Sequence, residues 1–393
     1  MTKLKVFAII LATLSVFSPN TLAVSKTYYE KNLDRDRMYI LKLDNSGRTG
    51  NFVVLESNGK FALLDAGAVN LAESETVIYP ALESLKIKEF EFALISHFDE
   101  DHFSYLTNGS YGQMRHANKN GNLPEKYKVK KVITRDASQD FAHYSSQDYL
   151  RLKNSLANQG IPVEWKKSFQ FGDFNLTVVN NHPTSQAEID FQRSHNEEAN
   201  ADSTGVLIEK NGYKVFIGGD MERLDEADML KSGEIDEIRD VDVFVMNHHG
   251  LFTTSNSPEF LDALKAKIYV MTNNIDGFTV GKMWGGDEAI GIYSDRVGRE
   301  NILSNHKGTV EVDFTDTRKG ISIFQLAQNY SKVIIRDNLD IKQEDVQDIK
   351  RNIAQTESNN SQKMGNLWYA VIGVIILTSI IYLFKKIKIK NIE

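Results

Sequence analysis

The chain of 393 residues is 41% hydrophobic and 25% charged, which excludes a disordered protein, a collagen-like fibre and a polytopic membrane protein. It contains no cysteine, so structural disulfides, thiolate metal sites and a cysteine nucleophile are all excluded. The formal net charge of −7 argues against a general nucleic-acid-binding surface, although it is compatible with a local basic groove.

The first element along the chain is a candidate signal peptide over residues 1–23. Two lysines precede the apolar run Val6 to Phe17, and the small residue Ala23 follows at the expected cleavage position. A basic start, a short apolar stretch and a small residue are typical of secretory signals. An uncleaved signal anchor is the alternative, and either reading predicts that the chain is exported.

A candidate transmembrane helix lies near the other end, over residues 367–384. This segment carries no charge and is long enough to cross the hydrocarbon core of a bilayer. Lysines follow it in residues 385–393, and positive charge of this kind marks the cytoplasmic side. The stretch 337–366 before the helix is polar and is predicted to be a stalk. We therefore predict a cell-membrane protein with an extracellular N-terminal domain and a basic cytoplasmic tail.

Residues 24–336 are predicted to form one domain in which strands and helices alternate. The Asn58-Gly59 and Asn211-Gly212 pairs are typical of tight β-hairpin turns. A hairpin-rich pattern with helices between the strands predicts an α/β fold, in which two mixed sheets are sandwiched by helices. The predicted strands are Met38–Leu43, Asn51–Glu56, Lys60–Asp65, Phe90–Ser96, Lys130–Thr134, Asn175–Asn180, Thr204–Glu209, Tyr213–Gly218, Val241–Met246 and Ile268–Thr272. The predicted helices are Val77–Leu85, Ser146–Gln159, Asp225–Lys231 and Ser257–Ala263.

Side chains that can bind metal ions concentrate where these strands end. The strand Phe90–Ser96 runs directly into His97, Asp99, Asp101 and His102. Imidazole and carboxylate together suit Zn²⁺, Mn²⁺ or Fe²⁺ better than Ca²⁺, which prefers oxygen ligands alone. A solvated acidic loop is the alternative for this segment taken by itself.

Three further strands end in the same way. Asp65 closes one strand, Asp220 follows two glycines at the end of a second, and His248 and His249 follow a third. Each of these could be an ordinary turn or surface group if it stood alone. Because four strands deliver His or Asp at their carboxyl ends, the pattern favours a shared chemical role over four unrelated turns.

Taken in order, the motifs resemble the metallo-β-lactamase fold. The match covers roughly residues 41–313. Asp at the second position of the first cluster, with two histidines and a glycine later, is similar to the extracellular hydrolase domain of ComEC-type competence channels and to phosphorylcholine esterases of teichoic acids. The resemblance implies an αββα sandwich of two mixed sheets flanked by helices. The motifs that carry it are Asp65-Ala66-Gly67, His97-x-Asp99-x-Asp101-His102, Gly219-Asp220 and His248-His249-Gly250.

The resemblance also implies two divalent metal ions, with zinc preferred to manganese. The implied ligands are His97 and Asp99 for the first ion, Asp101, His102 and His248 for the second, and Asp220 as a bridge between them.

Further residues have implied roles around these ligands. Asp65 would orient a ligand histidine from the second shell. Where the commonest pattern has a third histidine for the first ion, the candidates are Asn200, His195 and His182. The candidate catalytic residues are Asp101 and His249. His249 would contact substrate or assist the leaving group, and a packing role is its alternative.

Two such ions would hold a hydroxide at neutral pH and polarise the bond that it attacks. The ligand set therefore predicts a metal-dependent hydrolase without a covalent protein nucleophile. The predicted substrate is an extracellular or cell-wall phosphate ester, and the lipid bilayer is the second predicted partner. An extracellular ComEC-like nuclease, which would bind nucleic acid, is one alternative. A non-catalytic surface module with a structural metal is an alternative of another class.

Overall fold

The computed structural model describes residues 35–43, 50–68, 71–107, 123–138, 143–180, 200, 203–274, 286–326 and 332–339. These residues all belong to one compact unit, which ends at Leu339. The predicted signal peptide, transmembrane helix and basic tail, and all but the first few residues of the predicted stalk, lie outside the described residues. Within the described ranges, no helix combines the length and the apolar character that crossing a bilayer requires.

Two large sheets dominate this unit, with strands numbered here in chain order. The strands are β1 (Asp36–Ile40), β2 (Phe52–Ser57), β3 (Lys60–Ala66), β4 (Glu89–Phe90), β5 (Ala93–Leu94), β6 (Lys128–Val129), β7 (Val132–Ile133), β8 (Val163–Glu164), β9 (Ser168–Phe171), β10 (Phe174–Val179), β11 (Gly205–Lys210), β12 (Tyr213–Ile217), β13 (Val243–Val245), β14 (Ile268–Met271), β15 (Ile302–Ser304), β16 (Val310–Asp313), β17 (Ile321–Leu326) and β18 (Lys332–Leu339).

Both large sheets are mixed. The first has nine strands in the order β18-β17-β16-β1-β2-β3-β5-β7-β8, antiparallel from β18 to β3 and parallel from β3 to β8. The second has seven strands in the order β15-β14-β13-β12-β11-β10-β9, antiparallel from β9 to β12 and parallel from β12 to β15. Strands β4 and β6 form a small separate pair.

The helices pack on the outer faces of the two sheets. They are α1 (Leu71–Ser84), α2 (Glu100–Phe103), α3 (Leu123–Lys126), α4 (His143–Asn158), α5 (Arg223–Ser232), α6 (Ile235–Ile238), α7 (Pro258–Leu264) and α8 (Gly286–Val297), with short 3₁₀ turns at Ser104–Leu106, Asn247–Gly250, Arg299–Asn301 and Thr317–Lys319.

Successive side chains of each strand point to opposite faces of its sheet, so the core is divided into layers. In β1, Met38 and Ile40 face the space between the sheets, while Tyr39 faces the helices outside the first sheet. Successive side chains of a strand point to opposite faces, so a strand buried on both faces is apolar throughout. The outer clusters contain Leu82 of α1 on one side and Met229 of α5 on the other. The predicted arrangement of two mixed sheets between helices is therefore confirmed.

The two predicted hairpin turns are present. Asn58 and Gly59 connect β2 to β3 with φ of 50° and 73°, and Asn211 and Gly212 connect β11 to β12 with φ of 51° and 86°. Asn and Gly tolerate this left-handed backbone, which the twist of a tight hairpin requires.

Several element boundaries differ from the predictions. The predicted strand Phe90–Ser96 is divided, because the chain leaves the small sheet after Phe90 and joins the first large sheet only over Ala93–Leu94. Helix α1 begins at Leu71, before its predicted start, and contains Pro80 within the helix. The last strand, β18, crosses the predicted boundary at Arg336 and ends at Leu339.

Candidate metal centre

The centre forms where the carboxyl ends of parallel strands from both sheets meet. In the first sheet, β3 leads to Asp65 and β5 to His97. In the second sheet, β12 leads to Asp220, β13 to the His248-His249 turn and β14 to Thr272. Ligand sites of open parallel sheets lie outside these strand ends, since the loops that leave them are free to carry polar groups.

Asp65 orients two histidines from the first sheet. Its Oδ1 accepts a hydrogen bond from the backbone N of Ser96 at 2.8 Å, and its Oδ2 accepts one from Ser96 Oγ at 2.9 Å. The same Oδ2 lies 2.8 Å from Nδ1 of His102, while Ser96 Oγ lies 3.0 Å from Nδ1 of His97. One buried carboxylate therefore fixes His102 directly and His97 through Ser96, leaving Nε2 of both rings for another partner.

Asp220 enters the centre through a turn that only glycines can make. Gly219 has φ of +61°, and a Cβ there would lie 2.9 Å from the Ser96 side chain. A Cβ on Gly218 would lie 1.6 Å from the side-chain oxygen of Asn247. The turn brings Asp220 Oδ1 to 3.0 Å from Nε2 of His102, which connects the two sheets.

The two consecutive histidines after β13 point in different directions. Both have left-handed backbones, with φ of 48° at His248 and 57° at His249. Nε2 of His249 lies 3.1 Å from Asp101 Oδ2 and 3.3 Å from Asp220 Oδ2. His248 is the more exposed of the two, with its side chain 15% exposed. Its Nε2 lies 3.7 Å from Asp220 Oδ2.

Two groups of side chains can each hold a metal ion. The first contains His97, His102 and Asp220, and the second contains Asp101, His102 and His249, with the ligand atoms of each group within 4.8 Å of one another. His102 belongs to both groups. The structure thus brings together most of the predicted ligands around one point between the sheets.

The grouping differs from the predicted ligand set at two positions. Asp99 belongs to neither group; it lies at the amino end of α2 and is only partly buried. His248 also belongs to neither group, because the strained turn directs His249 toward Asp101 and Asp220 instead.

Of the three candidates for the third ligand of the first ion, the structure describes only Asn200. Asn200 is buried, and its Nδ2 lies 3.3 Å from Nε2 of His248, so it borders the centre. His182 and His195 lie outside the described residues.

Burial and neighbouring charges shift the pKa values of three imidazoles, lowering one and raising the other two. Burial, reinforced by the nearby ring of His102, holds the pKa of His97 well below its usual range. For His102, burial acts in the same direction, but Asp220 leads a set of carboxylates that raises its pKa well above the usual value. Against burial, Asp220 and Asp101 raise the pKa of His249 to about 9.

The carboxylates respond to the same contacts. Although burial alone would raise it, the pKa of Asp220 is held well below its usual range by the imidazoles led by His102 and His249. Burial would also raise the pKa of Asp101, but the adjacent imidazoles, His249 foremost, hold that pKa at about 2. Burial and the charges of Asp101 and Asp220 raise the pKa of Asp99 to about 7.

The donor set fits a divalent transition metal. Among the described residues, Nε2 of His97, His102 and His249 and Oδ1 of Asp220 are buried and have no hydrogen bond of ordinary geometry. Buried polar atoms are usually satisfied, so convergent atoms of this kind fit a cation held among them. Imidazole nitrogen with carboxylate oxygen is the ligand combination of Zn²⁺ and related ions.

Of three comparisons with known proteins, only the one with solved structures finds a likeness, and it is distant. No family model matches the chain, and no curated protein matches it either. Among solved structures, the chain is similar to the metallo-β-lactamase fold protein YhfI from Bacillus subtilis, with 10% identity, a TM-score of 0.41, and coverage of 69% of this chain and 96% of the other. The likeness is to the metallo-β-lactamase fold.

Two further structures extend this comparison. Tm1679, described as a metal-dependent hydrolase of the β-lactamase superfamily, has 15% identity, a TM-score of 0.40, and coverage of 68% and 95%. Zinc-bound PqqB from Methylobacterium extorquens has 11% identity, a TM-score of 0.39, and coverage of 68% and 97%. The narrower resemblance to ComEC-type domains stays a prediction.

Sequence reasoning missed the residues that hold the ligands in place. Ser96 supports His97, Ser203 Oγ accepts the backbone N–H of Asp220 at 3.1 Å, and Thr272 Oγ1 lies 2.8 Å from Nδ1 of His249. Thr272 and Ser96 are the last residues of predicted strands, so their places at carboxyl ends were a usable signal. Ser203 has no comparable motif, since a lone serine before a strand is common in any domain.

Proposed function

We propose that this chain is a metal-dependent hydrolase of the metallo-β-lactamase superfamily that acts on phosphate esters with two divalent ions, zinc in preference to manganese. The observation that carries the proposal is the convergence of three imidazole Nε2 atoms and the carboxylates of Asp101 and Asp220 between the two sheets. When bound, such ions supply a hydroxide nucleophile at neutral pH and polarise the phosphoryl group.

The side chains of this centre fall into metal ligands and a group that contacts substrate. His97, His102 and His249 are buried, with Nδ1 of each ring beside a polar group of the protein, which suits neutral metal ligands. His248 is more exposed than these three and lies beside Asp220, so it is the imidazole that an entering substrate meets first. A role in contacting substrate therefore suits His248, and a ligand role suits His249.

Charge balance supports an anionic substrate. The two groups supply two carboxylates, those of Asp101 and Asp220, against two divalent cations, so the loaded centre carries net positive charge. The chain as a whole carries −7, so that positive charge is local. A small phosphodiester can bind the centre alone, whereas a long nucleic acid must also approach acidic surface, at a cost that salt screens.

The cellular setting is part of the proposal. We propose that residues 1–23 direct export, that residues 367–384 anchor the chain in the bilayer, and that the substrate belongs to the extracellular surface or cell wall. The support is the charge and apolar patterning of both ends of the sequence.

The function can be tested on the full-length protein in detergent after metal removal with a chelator. Zinc or manganese would be restored separately, and turnover of an aryl phosphodiester, an aryl phosphocholine, double-stranded DNA and a chromogenic β-lactam would be followed at low ionic strength. We expect metal-dependent turnover of the small diesters above that of DNA and no lactam cleavage, with the variant His249→Ala inactive.

Two other outcomes would change the assignment. Degradation of DNA with negligible hydrolysis of the small diesters would favour the nuclease. Stoichiometric zinc binding without turnover of any phosphate ester would favour a structural metal in a non-catalytic module.

A further inference from the structure

Each candidate ligand histidine has its Nδ1 atom beside a different polar partner. Nδ1 of His102 lies 2.8 Å from Asp65, Nδ1 of His97 lies 3.0 Å from Ser96 Oγ, and Nδ1 of His249 lies 2.8 Å from Thr272 Oγ1. Asp65 and Ser96 thus support the two histidines that follow the first sheet. His249, on the second sheet, has only the threonine among the described residues at that nitrogen.

Thr272 is placed to act on His249 without competition from water. It follows β14, which runs parallel to β13, and its side chain has no solvent exposure, while His249 is 2% exposed. The β-branched side chain of threonine has few rotamers, so the hydroxyl is held at a fixed place against the ring.

The proton on His249 has two possible positions, and they have opposite consequences. A neutral ring carries one proton, and Nε2 can bind a metal only when that proton is on Nδ1. Around Nε2, oxygens of Asp101 and Asp220 at 3.1 and 3.3 Å would accept a proton there and favour the tautomer that cannot bind. A hydrogen-bond acceptor at Nδ1 is therefore needed to favour the binding tautomer.

We propose that Thr272 is a positioning residue that fixes the tautomer and ring orientation of His249 for metal binding, an inference that rests on the proposed metal-dependent function. Its hydroxyl oxygen accepts a hydrogen bond from Nδ1–H. The proton therefore stays on Nδ1, and the Nε2 lone pair is directed between Asp101 and Asp220. His248 and His249 both have left-handed backbones, and the contact with Thr272 holds the His249 ring at this strained turn.

The test compares two substitutions at the same position. Thr272→Val keeps the shape and removes the hydroxyl, whereas Thr272→Ser keeps the hydroxyl. Zinc affinity of the full-length protein would be measured by competition with a chromophoric chelator, and the visible absorption of the Co²⁺ form would report ligand geometry. We expect Thr272→Val to weaken zinc binding by about 10- to 100-fold and to alter the Co²⁺ spectrum, with Thr272→Ser close to wild type.

A matched control removes a similar hydroxyl elsewhere. Thr134 is also buried at a strand end, and its Oγ1 donates to the backbone carbonyl of Ile95 at 3.1 Å. Thr134→Val should lower the melting temperature as Thr272→Val does but should leave zinc affinity unchanged.

A direct measurement covers the case in which the valine variant does not fold. Long-range ¹H–¹⁵N spectra of zinc-loaded wild-type protein report which nitrogen of each histidine carries the proton, and we expect Nδ1–H for His249. Protonation at Nε2, wild-type zinc affinity in Thr272→Val, or equal loss in the valine and serine variants would each overturn the inference. A wild-type protein that binds neither zinc nor cobalt would instead contradict the proposed function itself, and this inference with it.

Discussion

At the scale of single residues, the carboxylate of Asp220 connects the two candidate metal groups. Its Oδ1 lies 3.0 Å from His102 and its Oδ2 lies 3.3 Å from His249. Asp220 is 1% exposed, so water cannot take its place. A negative group between two cations lowers their mutual repulsion, and this is the reason that loss of Asp220 should affect both ions.

We expect Asp220→Asn to weaken binding of both ions, by about tenfold or more each, because one substitution removes a negative charge that lies beside His102 of the first group and His249 of the second. Asp99→Asn is the comparison, since Asp99 lies in neither group and should affect at most one ion. Metal content after equilibrium dialysis measures both. Full two-ion loading of Asp220→Asn would remove the bridging assignment.

The shifted pKa values predict how the metal-free protein depends on pH. The pKa of His249 rises from 6.5 to about 9 on folding, so its stabilising contribution is complete below about pH 6.5 and is lost as the pH rises through about 9. The pKa of Asp101 falls from 3.8 to about 2, so its contribution is present above about pH 3.8 and is lost as the pH falls through about 2.

Thermal unfolding in the presence of a chelator should therefore show stability falling as the pH rises from about 6.5 to about 9, whereas the lowered pKa of His97 reduces stability as the pH falls below about 6.5. Zinc should act in the opposite sense, because it binds the deprotonated rings, so the rise in melting temperature that it causes should grow from about pH 6 to about pH 8.5. A zinc-induced shift that is the same at both pH values would contradict this coupling.

At the scale of elements, helix α5 holds the segment that carries the two histidines. Glu226 of α5 is fully buried; its Oε1 accepts from Asn247 Nδ2 at 2.7 Å and from the backbone N of Asn256 at 2.6 Å, and its Oε2 accepts from the backbone N of Ser257 at 2.7 Å. These bonds restrain both ends of the segment that contains His248 and His249. The left-handed backbone of each histidine costs about 1–3 kcal/mol.

We expect Glu226→Gln to lower the free energy of unfolding by about 1–3 kcal/mol at about pH 5, because an amide nitrogen cannot accept the Ser257 N–H. Burial raises the pKa of Glu226 from 4.5 to about 7, so the contribution of the wild-type carboxyl is complete below about pH 4.5 and is lost as the pH rises through about 7. The destabilisation by the variant should accordingly be smaller at about pH 8. Asp228→Asn, at an exposed position of the same helix, is the control in urea unfolding.

The elements that carry ligands were predictable to a greater extent than the contacts among them. Asp65, His97 and Asp220 follow apolar strands, and parallel strands bring such ends together. The division of roles between His248 and His249 was not predictable, because it depends on two left-handed residues within one turn. Helix α8 was also missed, since Gly286–Val297 combines charged and apolar residues without a clear repeat.

At the scale of the whole molecule, the last strand extends the domain beyond its predicted end. Strand β18 lies at the edge of the nine-stranded sheet and pairs with β17, with Leu339 opposite Ile321. A domain that ends at Arg336 would lack the end of this ladder, so the folded unit is better taken to end at Leu339.

We expect a fragment of residues 24–339 to be folded and to bind metal, because its two sheets bury their own cores. A fragment of residues 24–336 should melt at a lower temperature, since it loses the pairing of Leu339 with Ile321. Thermal unfolding and metal content compare the two with the full-length protein. Aggregation of the longer fragment, with metal retained in the full-length protein, would show that the remaining residues complete the fold.

Because the centre takes His97, Asp101 and His102 from one sheet and Asp220 and His249 from the other, it exists only after the two sheets have docked. An ion that binds such a site selects the native state alone and adds to its stability by mass action. We therefore expect metal uptake to follow the docking of the sheets, so that the rate at which newly refolded protein takes up zinc would report how fast the sheets assemble.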